Sequence, residues 1–341
     1  MKDLSIIVVN YRGWDKLTRC LGSLASIPAT YFSFEVIVVD NSSQVEKLNE
    51  FRGIFPQFNF ILNSGNYGFA NGNNVGAAHS NGKYLLFLNP DTLVSEKALL
   101  AMLDQVKVSR ANSIISCSQI RENGLKDKPY GVFPSPLSLT GWTRALAKTF
   151  KWIAEPLQNE RFIFPDWVSG SVMMMSKTSF NSIGKWNERF WMYFEDVDFC
   201  RRAKDLGGAV ILLKNVALVH EHGGSSRSDA EITALTKTEV LISQHEYISL
   251  HVNGLKEVLM HAFLILNNLV LGLVSAIPGL ILFSNKRLMV SNKVFLRLIN
   301  YYFNAFLKDT WISPRSIKHP ESYQFRINVD KNLSALGEDN S

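Results

Sequence analysis

The sequence predicts an α/β fold in which a mostly parallel central sheet is covered by helices on both faces. Short β-rich runs alternate with helical patterns through the first hundred residues. These runs are mostly apolar, which is typical of strands buried on both faces of a parallel sheet. At 341 residues the chain is long for one hydrophobic core, so a main domain with an additional region is expected.

The first predicted strand covers residues 4–9, and the helix after it places apolar side chains on one face. Those side chains are Leu17, Cys20, Leu21 and Leu24. A second strand at residues 35–39 completes a βαβ start. Further strands are predicted at residues 58–62, 84–88, 114–117, 172–175 and 209–213. The polar run 63–74 predicts a loop before a helix that begins near Val75.

The composition, with 46% hydrophobic and 19% charged residues, is that of a globular protein and slightly closer to that of membrane-associated proteins. The net charge of +6 suits nucleic acid and an anionic membrane equally well. The basic residues are spread along the chain and concentrate after a long apolar run, without interleaved aromatic residues. Nucleic acid is therefore not an expected partner.

The cysteines and the N-terminus both indicate a cytoplasmic location. Cys20, Cys117 and Cys200 are scattered and form no CxxC pair, which favours reduced buried thiols over a disulfide framework or a zinc site. The apolar run at residues 4–9 is too short for the core of a signal peptide. We therefore expect the chain to start in the cytoplasm.

The turns after the first two strands restrict the type of ligand. Residues 10–13 match neither GxGxxG nor GxxxxGK[ST], so the fingerprints of dinucleotide folds and of phosphate-loop NTPases are missing. The second strand ends at Asp40, whose carboxylate can accept a hydrogen bond from the ring N–H of a pyrimidine. Tyr11 can stack on the base or ribose. Alternatively, Asp40 only caps the following helix.

The run at residues 63–74 has two interpretations. Its glycines let the backbone approach a ligand closely, and the N-terminus of the following helix can face an anion. The same composition also describes an ordinary Asn/Gly turn.

Two groups of acids predict a catalytic site. Asp91 follows the apolar strand at residues 84–88, at the edge where open α/β sheets bind their ligands. Glu195 and Asp196 stand among aromatic residues, which suits a partly desolvated general base. Together with His220, these acids suggest a metal site paired with a base. Transfer from a nucleoside diphosphate needs this combination.

Several motifs in this order resemble the family 2 glycosyltransferases with the GT-A fold. The motifs are residues 8–11, 38–42, 66–70, 73–74, 88–91, 170–171, 194–198, Arg201 and 220–222. The resemblance covers residues 4–225 and is strongest to the rhamnosyltransferase-like branch of bacterial surface polysaccharide biosynthesis. The family has a DxD-like motif after the fourth strand. Here Asn89 replaces its first acid, which leaves Asp91 as the direct carboxylate ligand.

The resemblance implies a role for each matching residue. Asp91 and His220 would bind Mg²⁺ or Mn²⁺ on the diphosphate, and His222 is a weaker candidate. Asp196 would be the general base of an inverting reaction, with Glu195 near the acceptor. The implied nucleotide-sugar contacts are Asn10, Tyr11, Asp40, Asn66, Gly68, Asn73 and Asn89. Trp167, Gly170 and Trp191 are the predicted acceptor contacts, the two tryptophans because aromatic rings can stack on sugar faces.

For several of these residues a purely structural role stays open. His220 alone would be a structural or surface histidine more often than a ligand. Aromatic residues such as Trp167 and Trp191 are more often core or wall than sugar platforms. Asp198 is expected to pair with Arg201 or Arg202 one helical turn away, which is a structural role.

The region after His220 predicts association with a membrane. Residues 258–285 contain no charged residue, and basic residues flank both ends of this run. A single crossing would place the basic cluster that follows the run outside the cytoplasm, against the positive-inside rule. An in-plane helical hairpin is therefore favoured over one crossing or a buried soluble helix. The expected domains are residues 1–228 (catalytic), 229–312 (helical, membrane-associating) and 313–341 (polar tail).

The expected function combines these elements. The chain would transfer L-rhamnose from dTDP-rhamnose to a hydroxyl of a lipid-linked saccharide, at the cytoplasmic face of the bacterial inner membrane. The donor sugar and its pyrimidine base are implied by the resemblance alone, so a UDP-sugar stays open. A non-catalytic scaffold for polysaccharide assembly is the alternative from another class.

Overall fold

The computed structural model describes residues 2–28, 30–42, 44–136, 138–221, 229–281 and 286–321, without the side chains of 276–281. The chain divides into two compact units, residues 1–187 with 195–233 and residues 188–194 with 234–341. The strands are β1 (Lys2–Asn10), β2 (Phe34–Asp40), β3 (Asn59–Leu62), β4 (Gly82–Leu88), β5 (Thr92–Leu93), β6 (Ile114–Ile120), β7 (Tyr130–Gly131), β8 (Leu157–Gln158), β9 (Phe162–Phe164), β10 (Trp167–Val168), β11 (Val172–Ser176) and β12 (Val210–His220). The helices are α1 (Trp14–Ala25), α2 (Val45–Ile54), α3 (Gly68–Ala78), α4 (Glu96–Val108), α5 (Gly141–Thr149), α6 (Lys177–Ile183), α7 (Glu195–Asp205), α8 (Ala230–His251), α9 (Leu255–Ile281) and α10 (Lys286–Lys308).

The first unit is built on a mixed sheet with the strand order β3-β2-β1-β4-β11-β6-β12-β9-β8. Strands β3, β2, β1 and β4 are parallel, as are β6 and β12. Strand β11 runs antiparallel between β4 and β6 because the chain leaves the carboxyl end of β6 and returns from the same edge. The predicted α/β class with flanking helices is confirmed, and each predicted strand is present.

Helices cover both faces of this sheet, as predicted. Leu4, Ile6 and Val8 of β1 belong to one core, together with residues of α1, α2 and α4. Ile7 points the other way and joins the core formed with α3, α6 and α7. Because successive side chains of a strand alternate between its faces, one apolar strand serves both cores. Helix α1 buries the four predicted residues, Leu17, Cys20, Leu21 and Leu24.

The predicted loop at residues 63–74 is wrong in its second half, because α3 already begins at Gly68. The glycines of this run serve helix packing. A Cβ atom at Gly72 would lie 2.7 Å from Val9 Cγ1, and one at Gly76 would lie 2.5 Å from Ile7 Cγ2. Both glycines therefore let α3 lie close against β1, a requirement that the polar composition of the run concealed.

The second unit is helical, and its residue distribution is unusual. Large apolar side chains of α9 are exposed: Leu255, Val258, Leu259, Leu266, Val270, Leu271, Leu273 and Val274. Its polar residues His261 and Asn268 are buried. His261 Nδ1 lies 2.8 Å from His245 Nδ1, and Asn268 donates to the Tyr302 hydroxyl at 2.9 Å. Both polar residues therefore bond to other helices of the unit, while many large apolar side chains of α9 are exposed.

Within the described residues, one helix is long and apolar enough to cross a membrane. This segment, Leu255–Ser275, has a mean hydropathy of 1.9 and is only 22% buried. Ser313 and Ser316 are buried, so the first residues of the expected polar tail are part of the packed second unit. The remainder of that tail, residues 322–341, lies outside the described residues.

Replacing Gly76 by alanine should destabilise the protein. Ile7 is fully buried and cannot yield to the new methyl group, so overpacking costs about 1–3 kcal/mol. The matched control is Gly22→Ala in α1, where a Cβ atom would meet no heavy atom within 4 Å. That change should stabilise by about 0.5–1 kcal/mol, because alanine is the better helix former. Chemical denaturation measures both, and equal effects would contradict the packing argument.

Candidate active site

The carboxyl ends of β4 and β12 bring Asp91 and His220 together. Strand β12 ends at His220, which pairs with Thr92 of β5, one residue beyond Asp91. The backbone N–H of Glu221 donates to the carbonyl oxygen of Asp91 at 2.8 Å. Asp91 Oδ1 therefore lies 3.0 Å from His220 Nε2. Two residues that are far apart in sequence, both predicted as metal ligands, are adjacent in the structure.

A buried hydrogen-bond network supports this pair from behind. His220 Nδ1 lies 2.8 Å from Gln119 Oε1, and a carbonyl oxygen can only accept, so the ring N–H donates. Gln119 Nε2 in turn donates to Ser171 Oγ at 2.8 Å. All three side chains are buried. Fixing one ring nitrogen of a histidine orients the other, and metal-binding histidines are commonly held in this way.

The surroundings of Asp91 favour its ionised form. Burial alone would raise its pKa, but the hydrogen bond and charge of His220 and the charge of Lys16 outweigh burial and lower it. Lys16 Nζ lies 3.8 Å from Asp91 Oδ2 and donates to the carbonyl oxygen of Glu221 at 2.5 Å. The site thus presents a carboxylate and an imidazole beside a lysine cation.

Asp196 lies in the first turn of α7, where backbone groups hold its carboxylate. Gly170 N–H donates to Oδ2 at 3.0 Å, and Val197 N–H donates to Oδ1 at 2.8 Å. Burial raises the pKa of Asp196, although these N–H groups oppose the shift. The residue as a whole is partly exposed, and the two N–H groups fix its carboxylate in position.

Glu195 differs from its neighbour. Its side chain is buried, and Oε2 has no hydrogen-bond partner among the described residues. Burial and the charge of Asp196 raise the pKa of Glu195 well above its usual value. Of the two acids, Asp196 is therefore the better carboxylate and Glu195 the better proton-bearing group. Asp198 bonds to Arg202, as expected for a structural residue.

The prediction that Asp40 binds a pyrimidine stays a prediction. In the structure its carboxylate accepts hydrogen bonds from neighbouring residues of the chain. Asp40 is fully buried and accepts from Asn10 Nδ2 at 3.2 Å, from the Ser42 hydroxyl at 2.7 Å and from Gln44 N–H at 3.2 Å. These bonds shape the turn into α2, which is the structural role that the sequence left open. Tyr11 directly follows β1 and is exposed, with the Arg12 guanidinium 5.3 Å from the centroid of its ring.

The other predicted donor contacts lie around α3 and β4. Asn66 accepts from Gly68 N–H at 3.3 Å, which forms the turn into α3. Asn73 is buried, and its amide donates to the Phe69 carbonyl at 3.0 Å. Asn89 is partly exposed, and its N–H donates to the Ser171 carbonyl at 2.9 Å. Of these residues, Asn89 is joined through the backbone to the network behind Asp91.

The acceptor roles of Gly170, Trp167 and Trp191 stay predictions. Gly170 binds Asp196 through its backbone. Trp167 is partly exposed in β10, and its indole N–H donates to the Val132 carbonyl at 2.9 Å. Trp191 belongs to the second unit, where it is buried and its ring contacts Arg315. His222 lies outside the described residues.

Three site residues were not predicted as functional from the sequence. Gln119 and Ser171 are a buried amide and a buried hydroxyl at strand ends, and neither has a characteristic pattern. Ser171 was recognised only as part of a motif, and Lys16 gave no signal at all. Each is identified by its contacts with His220, Gln119 or Asp91.

The Asp91–His220 pair fits a divalent cation. Two ligands about 2.1 Å from one ion, at right angles to each other, lie about 3 Å apart, which matches the observed separation. Among the described residues, no group of three or more His, Cys, Asp or Glu side chains could hold a metal ion. Among the described residues, Asp91 and His220 are therefore the two candidate ligands. This number suits Mg²⁺ or Mn²⁺ sites, which also use oxygen atoms of a bound phosphate.

Comparison with known proteins agrees with this architecture. Residues 5–162 match the profile of "Glycosyl transferase family 2". Over 209 residues, 60% of this chain and 62% of the relative, the chain is 30% identical to the low-salt glycan biosynthesis hexosyltransferase Agl10 of Haloferax volcanii. It is 27% identical over 206 residues to rhamnosyltransferase WbbL of Escherichia coli K12, covering 58% of this chain and 75% of the relative.

A third relative and one solved structure extend the comparison. The N-acetylglucosaminyl-diphospho-decaprenol L-rhamnosyltransferase of Mycobacterium tuberculosis is 23% identical over 250 residues, 66% of this chain and 78% of the relative. The crystal structure of GalNAc-T7 with UDP, GalNAc and Mn²⁺ superimposes with a TM-score of 0.50 at 15% identity. That match covers 70% of this chain and 48% of the other, and it shows the fold alone. Residues 5–162 therefore resemble a glycosyl transferase family 2 domain, and the fold is GT-A-like.

Proposed function

We propose that this protein is an inverting, metal-dependent glycosyltransferase that uses a nucleoside diphosphate sugar as donor. One observation carries the proposal. A carboxylate that suits a cation (Asp91) and a separate carboxylate that suits a general base (Asp196) are held by neighbouring residues. Ser171 supports Asp91 through Gln119 and His220, and Gly170 binds Asp196 directly. Inverting transfer needs these two functions on different groups.

The proposed roles follow from the positions of the side chains. Asp91 and His220 would hold Mg²⁺ or Mn²⁺, which neutralises charge on the departing diphosphate when bound. Lys16 adds a second positive charge next to Asp91. Asp196 takes the proton of the acceptor hydroxyl. At the same time the hydroxyl oxygen bonds to the anomeric carbon of the donor, and the bond between that carbon and the diphosphate breaks. Attack opposite to the leaving group inverts the configuration at that carbon.

The donor is proposed to be dTDP-L-rhamnose and the acceptor a lipid-linked saccharide. Two relatives named as rhamnosyltransferases support this choice, one of them with a diphospho-decaprenol acceptor in its name. The likeness to GalNAc-T7, whose structure contains UDP, keeps a UDP-sugar as the alternative.

Association with the cytoplasmic face of the bacterial inner membrane is part of the proposal. Helix α9 exposes most of its leucines and valines and buries His261 and Asn268 in hydrogen bonds, which is the reverse of the usual distribution in a soluble helix. A lipid environment stabilises such a surface, and a lipid-linked acceptor would be concentrated there.

Asp91→Ala should abolish metal-dependent binding of UDP or dTDP and nearly all turnover. The substitution removes the carboxylate ligand, so charge on the diphosphate is no longer neutralised. Thermal shift with nucleoside diphosphates, with and without Mn²⁺, measures binding, and sugar transfer measures turnover. The control is Asp104→Ala on α4, whose side chain is 74% exposed. Full activity of Asp91→Ala, or of the wild-type protein in excess EDTA, would refute the metal assignment.

Asp196→Asn should leave donor binding near wild type and lower turnover by a factor of about 10² to 10⁴. Because burial raises the pKa of Asp196, wild-type kcat/KM should rise with pH as the Glu195–Asp196 pair loses a proton above the usual Asp range. The variant should lose this rise. Asp205→Asn at the exposed end of α7 is the control. Collapse of donor binding in Asp196→Asn would instead make Asp196 a ligand.

Gln119→Met should weaken Mn²⁺ binding in the presence of dTDP by about 10- to 100-fold, because His220 loses the acceptor that orients it. The free Mn²⁺ signal in electron paramagnetic resonance measures this affinity without turnover. Gln119→Glu keeps an acceptor oxygen and should retain most of the affinity. Gln105→Met on α4 controls for the loss of an amide. If Gln119→Met binds Mn²⁺ like wild type, Gln119 does not position His220.

A further inference from the structure

Helix α5 and the turn after it expose a cluster of large apolar side chains. Trp142, Leu146, Phe150 and Trp152 are 51%, 47%, 59% and 60% exposed. The first three stand four residues apart, so they share one face of the helix. We call these four residues the α5 surface. They belong to the first unit, separate from the apolar run of α9.

The α5 surface is a defined structure. Thr140 and Thr143 form a capping box at the start of the helix. At its end Lys151 adopts a left-handed φ of 55°, and Trp152 N–H donates to the Ala147 carbonyl at 2.8 Å. This turn stacks the Trp152 ring on Phe150, with centroids 5.1 Å apart. Local hydrogen bonds thus hold these aromatic rings in an exposed position.

The charged residues within the segment 141–154 are all basic. Arg144, Lys148 and Lys151 are exposed, and the sequence from Gly141 to Ala154 contains no acidic residue. Tryptophan and phenylalanine beside basic residues are typical of helices that lie in the interface of an anionic bilayer. A second copy of the same surface is a poor occupant, since its positive charges would repel the first.

The α5 surface is connected along the chain to the candidate active site. It lies in the excursion of residues 121–171, which leaves β6 just after Gln119 and ends at Gly170 and Ser171. Both ends of this excursion are therefore in the candidate active site. A bilayer contact made by α5 would act on the catalytic unit itself, independently of α9.

We propose that the α5 surface docks the catalytic unit onto an anionic lipid bilayer. Trp142, Leu146, Phe150 and Trp152 enter the interface, and Arg144, Lys148 and Lys151 contact anionic headgroups. The inference does not depend on the identity of the donor, or on catalysis. A binding measurement without substrate therefore tests it separately from the proposed function.

The test uses the full chain with a Leu146→Cys substitution that carries an environment-sensitive fluorophore. Cys20, Cys117 and Cys200 are fully buried, so the new thiol is labelled selectively. Adding vesicles of phosphatidylglycerol and phosphatidylcholine should raise the fluorescence several-fold and shift it to the blue. Vesicles of phosphatidylcholine alone should have a smaller effect, because the basic residues lose their anionic partners. Val108→Cys, on α4 and 78% exposed, is the labelled control and should not respond.

A second arm removes the surface while keeping the Leu146→Cys probe. Phe150→Ser with Trp152→Ser should raise the lipid concentration for half-maximal response about tenfold or more. Ile54→Ser with Val108→Ser, two exposed residues elsewhere in the first unit, should leave it unchanged. Circular dichroism checks that each variant is folded.

Three results would overturn the proposal. The first is a Leu146→Cys probe that ignores anionic vesicles. The second is an equal response of the Val108→Cys probe. The third is a response that grows with protein concentration in the absence of lipid, which would assign the surface to a second copy of the chain.

Discussion

The candidate active site depends on one dipeptide, Gly170 and Ser171. Gly170 N–H fixes the carboxylate of Asp196, while the Ser171 side chain and carbonyl bind Gln119 and the N–H of Asn89. Consecutive Cα atoms are about 3.8 Å apart, so the support of Asp196 and the support of the Asp91–His220 pair cannot move independently. A side chain at Gly170 would have its Cβ 3.1 Å from the Phe69 ring, which explains the glycine. The network is buried, and each missing partner would leave a costly unpaired polar group.

This dipeptide stands where it does because of the sheet. Strands β4, β6 and β12 all deliver their carboxyl ends to one edge, and β11 begins at that edge because it runs the opposite way. The antiparallel strand therefore returns the chain to the site directly after the α5 excursion. A purely parallel sheet would have needed a crossover that ended at the other edge. The mixed topology is thus what places Gly170 and Ser171 beside Asn89 and Gln119.

Sequence patterns predicted those parts of the fold that rest on periodicity. The strand positions and the buried face of α1 follow from the spacing of apolar residues, and the structure confirms them. The start of α3 could not be predicted in this way, because Gly72 and Gly76 look like turn residues until β1 is seen beside them. The antiparallel direction of β11 was equally hidden, since a single strand carries no mark of its direction.

The residues of the candidate site also fall into those that a sequence pattern predicts and those that it does not. Asp91, His220 and Asp196 were predicted because acids and histidines in family motifs carry a recognisable pattern. Gln119 and Ser171 act through hydrogen bonds between residues 52 positions apart, which no local pattern records. Asp40 shows the opposite case, since its motif suggests a ligand contact while its hydrogen bonds are already made within the chain.

The replacement of an acid by Asn89 makes the supporting network more important. A site with one carboxylate and one imidazole offers a hard cation little negative charge, so the ion must rely on a bound diphosphate for its remaining oxygen ligands. Under the proposed function, cation and donor then bind as a unit. The protein holds the two side chains in position before binding. His220 and Lys16 keep Asp91 ionised despite its burial, and Gln119 fixes the ring of His220. The preorganised pair loses little freedom on binding, which offsets part of the affinity that the missing carboxylate would have supplied.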